Sequence, residues 1–194
     1  MDLKAKSKWN SIYSDAEIKN QNVSKGLLEN SHLLPASGRG LDLACGTGGD
    51  AIFLASKGFD VDAWDISDTV TEKLNYYAAE NKLSINAEAR DINLNPPSNA
   101  SYDVITVAHF LERSLAPVLI AALKPGGLLF YQTFTREVTL SYSGPSNPDF
   151  RLGENELLSL FNGLKIIVYR EEGLLGDIKA GFRNEALLIA QKPV

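Results

Sequence analysis

Short apolar runs alternate with longer amphipathic segments along this chain. The alternation predicts βαβ units, in which each strand is followed by a helix and the strands lie parallel. The runs predicted as strands are residues 39–44, 59–65, 85–90, 102–108, 128–134, 164–169 and 186–190. We expect the last two to be antiparallel partners. The pattern therefore predicts an α/β fold with a seven-stranded, mostly parallel sheet, an antiparallel last strand and helices on both faces.

The segments between these runs have helical patterns or turn residues. Residues 1–34 are polar and mostly helical, with Trp9, Ile12 and Tyr13 on one face. Further helices are predicted at 50–57, at 69–83, at 115–123 and at 154–161. Thr69 and Glu72 have the spacing of a capping box. Residues 124–127 are predicted to form a tight turn before the fifth strand, while residues 93–101 and 135–152 are irregular.

Composition and charge narrow the class of protein. The 194 residues fit one domain, and a hydrophobic share of 44% allows a substantial core. The 24 acidic residues outnumber the 19 basic ones, so no nucleic-acid partner is expected. Cys45 is the single cysteine, which excludes an internal disulfide and favours a reducing, cytoplasmic location. The sequence shows no signal peptide or membrane-spanning run, so no membrane association is expected.

Residues 42–49, with the sequence DLACGTGG, lead from the first strand through a glycine turn into a helix. Glycines let the backbone turn sharply and approach a ligand, and the helix N-terminus offers free N–H groups. Asp65 ends the second strand, where a carboxylate can accept two hydrogen bonds from a ribose diol. These features predict a nucleoside-binding site. Gly46-x-Gly48-x-x-Ala51 also satisfies the dinucleotide fingerprint, so this motif alone does not separate NAD from S-adenosylmethionine.

Three further features favour S-adenosylmethionine over NAD. Asp42 lies inside the first strand, where a buried carboxylate is costly unless it is satisfied. A cofactor with a cationic amino-acid tail satisfies such a carboxylate, and a dinucleotide does not need it. Asp91 follows the third strand, where it can accept a hydrogen bond from an adenine amino group. The third feature is the Lys-Pro-Gly-Gly sequence at 124–127.

These motifs, in this order, resemble class I S-adenosylmethionine-dependent methyltransferases. The resemblance covers residues 39–134 most strongly and rests on 42–48, Asp65, Asp91, 102–105 and 124–127. It implies a Rossmann-like doubly wound fold, with residues 1–34 as an N-terminal helical lid segment and 35–194 as the methyltransferase domain. Residues 131–135, 144–152 and 156–158 are similar to small bacterial methyltransferases of the tellurite-resistance (TehB-type) family.

The resemblance also implies a cofactor site. Asp42 and the backbone of Ala44 and Cys45 would hold the methionine amine, Asp65 the ribose, and Asp91 the adenine. The residues implied to bind the cofactor are Trp9, Tyr13, Asp42, Ala44, Cys45, Gly46, Gly48, Asp65, Ile66, Asp91, Ile92, Val107 and Ala108. Ala44 departs from the glycine that the family often has, a change that we expect to be tolerated. For Trp9 and Tyr13, a core-packing stripe is the alternative to a lid.

The methyl acceptor is not evident from these motifs. A general base is needed only if the acceptor carries a proton of high pKa, whereas thiolates and oxyanions of tellurium, arsenic or selenium need none. His109, after the fourth strand, is the candidate base, and a histidine packed at the pocket rim is the alternative. The candidate substrate residues are Phe110, Arg136, Tyr142, Asn147, Arg151 and Arg183. The arginines can hold an anionic acceptor, or they belong to a solvated surface loop.

The leading interpretation is a methyltransferase acting on a small molecule: a thiol, an oxyanion of the tellurium or selenium type, or a small metabolite. An RNA or protein methyltransferase is the first alternative. An NAD(P)-dependent oxidoreductase and a non-catalytic cofactor-binding protein are weaker ones. We expect no metal, and either a monomer or a homodimer.

Overall fold

The computed structural model describes residues 2–18 and 23–194, so residues 1 and 19–22 of the predicted segment 1–34 lie outside the described residues. The strands are β1 (Gly38–Leu43), β2 (Phe59–Asp65), β3 (Ile85–Ala89), β4 (Tyr102–Ala108), β5 (Leu123–Phe134), β6 (Lys165–Glu171) and β7 (Glu185–Gln191). The α-helices are α1 (Leu3–Tyr13), α2 (Lys25–Glu29), α3 (Gly49–Ser56), α4 (Asp68–Asn81), α5 (Ala116–Ala122) and α6 (Glu156–Leu160). Short 3-10 helices lie at Ser31–Leu33, Arg113–Leu115 and Pro148–Phe150.

The seven strands form one sheet in the order β3-β2-β1-β4-β5-β7-β6. The pairs among β1 to β5 are parallel, and β7 is antiparallel to both of its neighbours. The predicted fold class is therefore confirmed. The strand order reverses between β1 and β4, and open α/β sheets bind ligands beyond the carboxyl ends of the strands at such a point. Because β7 is antiparallel, its first residue, Glu185, pairs with Phe134 at this same edge.

Two apolar cores lie on the two faces of the sheet. Successive residues of a strand point to opposite faces, so in β4 Val104 belongs to one core and Ile105 to the other. Helices α3 and α4 cover the first face through residues such as Leu54 and Leu74. Helices α5 and α6 cover the second, with Leu119 among the buried residues. Both faces are thus covered, as the buried apolar strands require.

Two local predictions are wrong. Helix α4 begins at Asp68 and is capped by Ser67, whose hydroxyl accepts from the Val70 amide at 3.4 Å, so Thr69 is already inside the helix. Residues 124–127 do not connect a helix to a strand but bulge within β5. Leu123 pairs with Tyr102 and Leu128 with Val104, which leaves the intervening residues looped out of the register.

The predicted helical segment 1–34 is divided into α1, α2 and a 3-10 helix. Helix α1 is held against α4 by an ion pair and by hydrogen bonds along its length. Lys6 pairs with Asp68 at 2.8 Å, and the Asn10 side-chain amide donates to the same carboxylate at 2.6 Å. The Lys73 ammonium donates to three carbonyls at the end of α1 and just beyond it, including that of Tyr13 at 2.9 Å. Among the described residues, no helix is both long and apolar enough to cross a membrane.

Candidate functional site

A turn of unusual backbone conformation follows β1. Ala44, Gly46 and Gly48 have φ values of 57°, 51° and 78°, all in the left-handed region. The turn delivers the chain to the N-terminus of α3 and is closed by a hydrogen bond from the Gly48 amide to the Cys45 carbonyl at 2.8 Å. Glycine adopts this region without strain, but Ala44 does not. Ala44, where the family often has glycine, therefore adds backbone strain to the turn.

The two glycines of this turn have different surroundings. A Cβ atom at Gly46 would lie 3.0 Å from the Tyr13 hydroxyl, so Gly46 faces the region beneath α1. A Cβ atom at Gly48 would lie 2.6 Å from the side chain of Leu74 in α4. Glycine at position 48 thus suits both the left-handed backbone of the turn and the close packing of Leu74 against it. Its predicted approach to a ligand stays a prediction.

Asp65 joins the ends of β1 and β2. One carboxylate oxygen accepts from the Gly46 amide and the other from the Ser67 amide, each at 3.0 Å. Burial raises the pKa of Asp65, and the hydrogen bonds from Ser67 and Gly46 act in the opposite direction. A carboxylate has about four acceptor positions. The geometry therefore leaves Asp65 able to accept further hydrogen bonds from a diol.

Buried carboxylates continue beneath the turn. Asp42 is 2% exposed, and it accepts from the Ala51 amide at 2.9 Å and from the Thr106 hydroxyl at 3.3 Å. Burial raises the pKa of Asp42 well above its usual range, and the neighbouring Asp50 raises it further. Asp50 was not predicted as a site residue, although an acidic residue in the first turn of a helix is a visible signal. Such a cluster favours a cationic ligand.

The predicted adenine residues flank the next strand ends. The Asp91 carboxylate accepts from the Asp2 amide at 3.1 Å and from the Asn93 amide at 3.2 Å. Ile66 is half-buried, whereas Ile92 is buried in the core. Helix α1 therefore starts close to Asp91, at the end of β3, and runs towards the glycine turn.

The other end of α1 lies over the glycine turn. Trp9 stacks on Tyr13 with ring centroids 5.5 Å apart. Burial, together with the carboxylate of Asp65 and the thiol of Cys45, raises the pKa of Tyr13. Burial also raises the pKa of the Cys45 thiol well above its usual value, which keeps it in the unreactive protonated form. Helix α1 thus spans the region between Asp91 and Gly46.

The predicted methyl-facing residues at the end of β4 divide into two kinds. The Val107 side chain is 1% exposed and packs in the core, so only its backbone can line the site. Ala108 is half-buried. His109 has a φ of 56°, and its side chain is 47% exposed. Its ring stacks on Phe134 with centroids 4.9 Å apart, and its Nε2 lies 3.2 Å from Glu185 Oε1.

The segment after β5 places some of the predicted substrate residues beside His109. Tyr142 packs edge-on against Phe134 at 5.8 Å, and the Arg151 guanidinium lies over the Tyr142 ring at 5.6 Å. Phe110 is half-buried, and its carbonyl accepts from the Tyr131 hydroxyl at 2.9 Å. Phe134, at the carboxyl end of β5, thus links His109 to this segment.

Three other predicted substrate residues are placed differently. Arg136 is exposed, and the exposed Asn147 caps a 3-10 helix by accepting from the Asp149 amide. The Arg183 guanidinium donates to four carbonyls of the loop before β7, those of residues 172, 173, 177 and 180. These bonds occupy each of its nitrogens. The structure therefore gives Arg183 a loop-stabilising role, and its predicted contact with substrate stays a prediction.

Comparison with known proteins identifies the family. The family model of tellurite resistance protein TehB matches residues 10–184. Hemagglutinin 1 of Eikenella corrodens is 32% identical over 79% of this chain and 54% of its own length. A probable S-adenosyl-L-methionine-dependent methyltransferase TehB of Haemophilus influenzae is 31% identical over 68% of this chain and 47% of its own length. The chain thus spans about half the length of these curated relatives.

The crystal structure of TehB from Haemophilus influenzae has the same fold. It superposes with a TM-score of 0.70 and 24% identity, covering 95% of this chain and 67% of that one. The chain belongs to the TehB family of S-adenosylmethionine-dependent methyltransferases. The resemblance predicted from the motifs is therefore confirmed.

Proposed function

We propose that this member of the TehB family transfers a methyl group from S-adenosylmethionine to a small molecule, such as a thiol, an oxyanion of the tellurium or selenium type, or a small metabolite. The observation that carries the proposal is the Asp65 carboxylate bound to the Gly46 amide, above the buried Asp42. The ribose diol of the cofactor suits Asp65 at the end of β2, and its cationic amino-acid tail suits Asp42 beside the glycine turn after β1.

The acceptor groups of Asp65 and Asp42 suit a cofactor with a ribose diol and a cationic tail. Asp65 keeps free acceptor positions for the ribose hydroxyls. Asp42, with the backbone of Ala44 and Cys45, would hold the methionine amine, while Ile66 and Asp91 would bind the adenine. The aromatic pair of α1 would cover the site, so we propose residues 1–34 as a lid on the domain formed by 35–194.

The acceptor would approach from the end of β4, beside Ala108 and His109. When bound, the cofactor supplies a sulfonium methyl group that is already strongly electrophilic. The chain's own residues therefore mainly position the acceptor in line and exclude water, which is worth roughly 7–11 kcal/mol in well-oriented reactions. Tyr13 and Trp9 would exclude water on the cofactor side. Phe134 and Tyr142 supply aromatic surface on the acceptor side.

The location and assembly state belong to the same proposal. We place the protein in the cytoplasm, where a single cysteine stays reduced. We propose that it acts on its small-molecule acceptor without nucleic acid or membrane, as a monomer or a homodimer.

Calorimetric titration with S-adenosylmethionine, S-adenosylhomocysteine and NADPH tests the cofactor. We expect both adenosyl ligands to bind, and Asp65→Ala to weaken them by about 100-fold, because two hydrogen bonds to a charged group are lost. Asp60→Ala is the matched control, since Asp60 lies exposed at the opposite end of β2. Asp65→Asn keeps one acceptor oxygen and should give an intermediate affinity. Binding of NADPH alone would contradict the proposal.

A further inference from the structure

A chain of polar contacts links His109 to strands β5 and β7 and to helix α2. Glu185 Oε1 lies 3.2 Å from His109 Nε2, and Glu185 Oε2 accepts from the Gln132 side-chain amide. Gln132 is 4% exposed, and its Oε1 accepts from the Gly26 amide at 2.7 Å. Every polar atom of the Gln132 and Glu185 side chains thus has an assigned partner. This network fixes the position of the Glu185 carboxylate.

The contact with Glu185 defines which nitrogen of His109 is free. A carboxylate can only accept, so the imidazole donates its Nε2 proton to Glu185. In the neutral ring, Nδ1 then carries the lone pair. Nδ1 has no hydrogen-bond partner within residues 2–18 and 23–194. The ring itself is held against Phe134 by stacking, so the lone pair has a fixed direction.

The backbone of His109 is also constrained. Its φ of 56° lies in the left-handed region, and its amide donates to the Gln132 carbonyl at 2.9 Å. Non-glycine residues in this region are strained, and such strain is found at functional sites where the surrounding structure holds it in place. The same strand residue, Gln132, therefore fixes the backbone of His109 directly and its side chain through Glu185.

We propose that Glu185 is a positioning residue that presents His109 Nδ1 as a general base, and that the methyl acceptor carries a weakly acidic proton on sulfur or oxygen, as an alkyl thiol or a hydroxyl does. This inference rests on the proposed function and names its substrate class. An oxyanion has no proton to remove and would not need this arrangement. An orienting carboxylate, a histidine and a proton-bearing nucleophile form the arrangement that also activates nucleophiles in hydrolases.

The proton and the electron pairs move only among His109, the acceptor and the cofactor. His109 Nδ1 removes the proton from the acceptor sulfur or oxygen, and the electron pair left there forms the bond to the methyl carbon. The methyl–sulfur bond of the cofactor breaks, and its electron pair stays on sulfur, which neutralises the sulfonium and gives S-adenosylhomocysteine. The imidazolium that forms is stabilised by the Glu185 carboxylate. It returns its proton to water before the next cycle.

The charges around His109 determine how the rate should depend on pH. The hydrogen bond to Glu185 raises the pKa of His109 above its usual value of 6.5, while burial lowers it and Asp50 of α3 raises it further. Burial raises the pKa of Glu185, but the contacts with His109 and Gln132 and the charge of Lys25 outweigh this, so its net pKa is lowered. Tyr142, near Glu185, has a raised pKa and stays neutral. A base role therefore requires the rate to rise with pH through the raised pKa of His109.

The test compares Glu185→Gln with the unaltered chain, using 2-mercaptoethanol and tellurite as separate acceptors and S-adenosylhomocysteine formation as the readout. 2-Mercaptoethanol is an alkyl thiol that is mostly protonated at neutral pH. With it we expect kcat/KM at neutral pH to fall by about 10–100-fold, because the charge that orients and supports His109 is lost. The acidic limb of the pH profile should move to lower pH, since His109 loses the partner that raises its pKa. Affinity for S-adenosylmethionine should stay within about threefold.

Glu29→Gln is the matched control, because it removes the same charge from an exposed ion pair with Arg170. NMR titration of the imidazole signals, assigned with His109→Gln, gives a readout that does not depend on turnover. If neither the acidic limb of the pH profile nor the imidazole titration moves in Glu185→Gln, the inference is overturned while the proposed function stands. A rate that falls as pH rises, or turnover of tellurite but not of 2-mercaptoethanol, would also overturn it. Failure of the unaltered chain to bind S-adenosylmethionine would instead overturn the proposed function, and the inference with it.

Discussion

The two halves of the site are built in different ways. At the ends of β1 and β2, which we call the cofactor half, Asp65 binds the backbone amides of Gly46, 19 residues away in sequence, and of Ser67, two residues away. At the ends of β4, β5 and β7, the acceptor half, contacts join residues far apart in the chain, such as His109 with Glu185 and Gly26 with Gln132. The central contacts of the cofactor half therefore span fewer residues of the chain than those of the acceptor half.

The largest expected effect comes from Asp42→Asn. This variant tests whether the charge of Asp42 favours cofactor binding at the expense of the stability of the fold. Burial and Asp50 raise the pKa of Asp42, so its ionised form destabilises the folded chain. We expect the variant to melt at a higher temperature and to bind S-adenosylmethionine roughly 10–100-fold more weakly, because a counter-charge is lost. Calorimetry and thermal denaturation measure the two effects.

The raised pKa of Asp42 also determines how the stability of the fold depends on pH. A buried acid with a raised pKa makes folding more favourable at low pH, so stability falls as pH rises from the unfolded value of 3.8 through the folded pKa. Asp42→Asn should make this slope shallower, while the raised pKa values of Asp50 and Asp65 maintain the rest of it. Asp103→Asn is the opposite control, since hydrogen bonds from Lys124 and the Arg39 amide outweigh burial and lower the pKa of Asp103, so losing its charge should destabilise the chain. A lower melting temperature in Asp42→Asn would contradict the interpretation.

The next effect concerns packing under the cofactor half. Gly48→Ala should reduce the free energy of unfolding by about 2–3 kcal/mol, because the new Cβ meets Leu74 and the φ of 78° strains it. Gly58→Ala separates the two causes, since Gly58 has a φ of 92° but nothing within 4 Å of its Cβ position. It should cost about 1–2 kcal/mol from strain alone. Denaturant unfolding measures both, and equal losses would show that Leu74 yields without cost.

The smallest expected effect is the relief of backbone strain at two residues in the left-handed region, Ala44 in the cofactor half and His109 in the acceptor half. Ala44→Gly should raise the free energy of unfolding by about 0.5–1 kcal/mol, because strain is relieved while the unfolded chain gains entropy. His109→Gly should gain a similar amount relative to His109→Ala, since His109 has nearly the same φ. Ala44→Gly should retain methyl transfer, whereas His109→Gly should lose it. Loss of transfer in Ala44→Gly would mean that the strain at the turn is functional.

The features that predict the cofactor half lie within one short stretch of the chain. A strand, a glycine turn and an acid at the end of the next strand are all visible within residues 42–65. Even there, the sequence does not show that Gly48 serves the packing of α4 while Gly46 faces α1, because the contact with Leu74 depends on the tertiary fold. The error at Thr69 has a different, local cause: Ser67 competes as a cap and lies two residues earlier.

The acceptor half could be predicted only in part. His109 was visible as a titratable residue after β4, but its partner Glu185 comes from a strand whose place in the sheet the sequence does not reveal. Gln132 gave a weak signal as a polar residue in the apolar run 128–134. Arg183 resembles an anion-binding residue in sequence, yet loop carbonyls occupy its nitrogens. Residue type alone does not distinguish these roles.

The position of β7 also determines when the acceptor half can form. β7 follows β6 in sequence but lies between β5 and β6 in the sheet. During synthesis, β6 therefore has no neighbour to pair with until residues 185–191 have emerged and entered the gap. Until that moment, β5 and β6 expose unpaired backbone groups, which are sites of aggregation in nascent chains. Glu185 enters with the same strand, so the final sheet-forming event and the completion of the His109 network coincide.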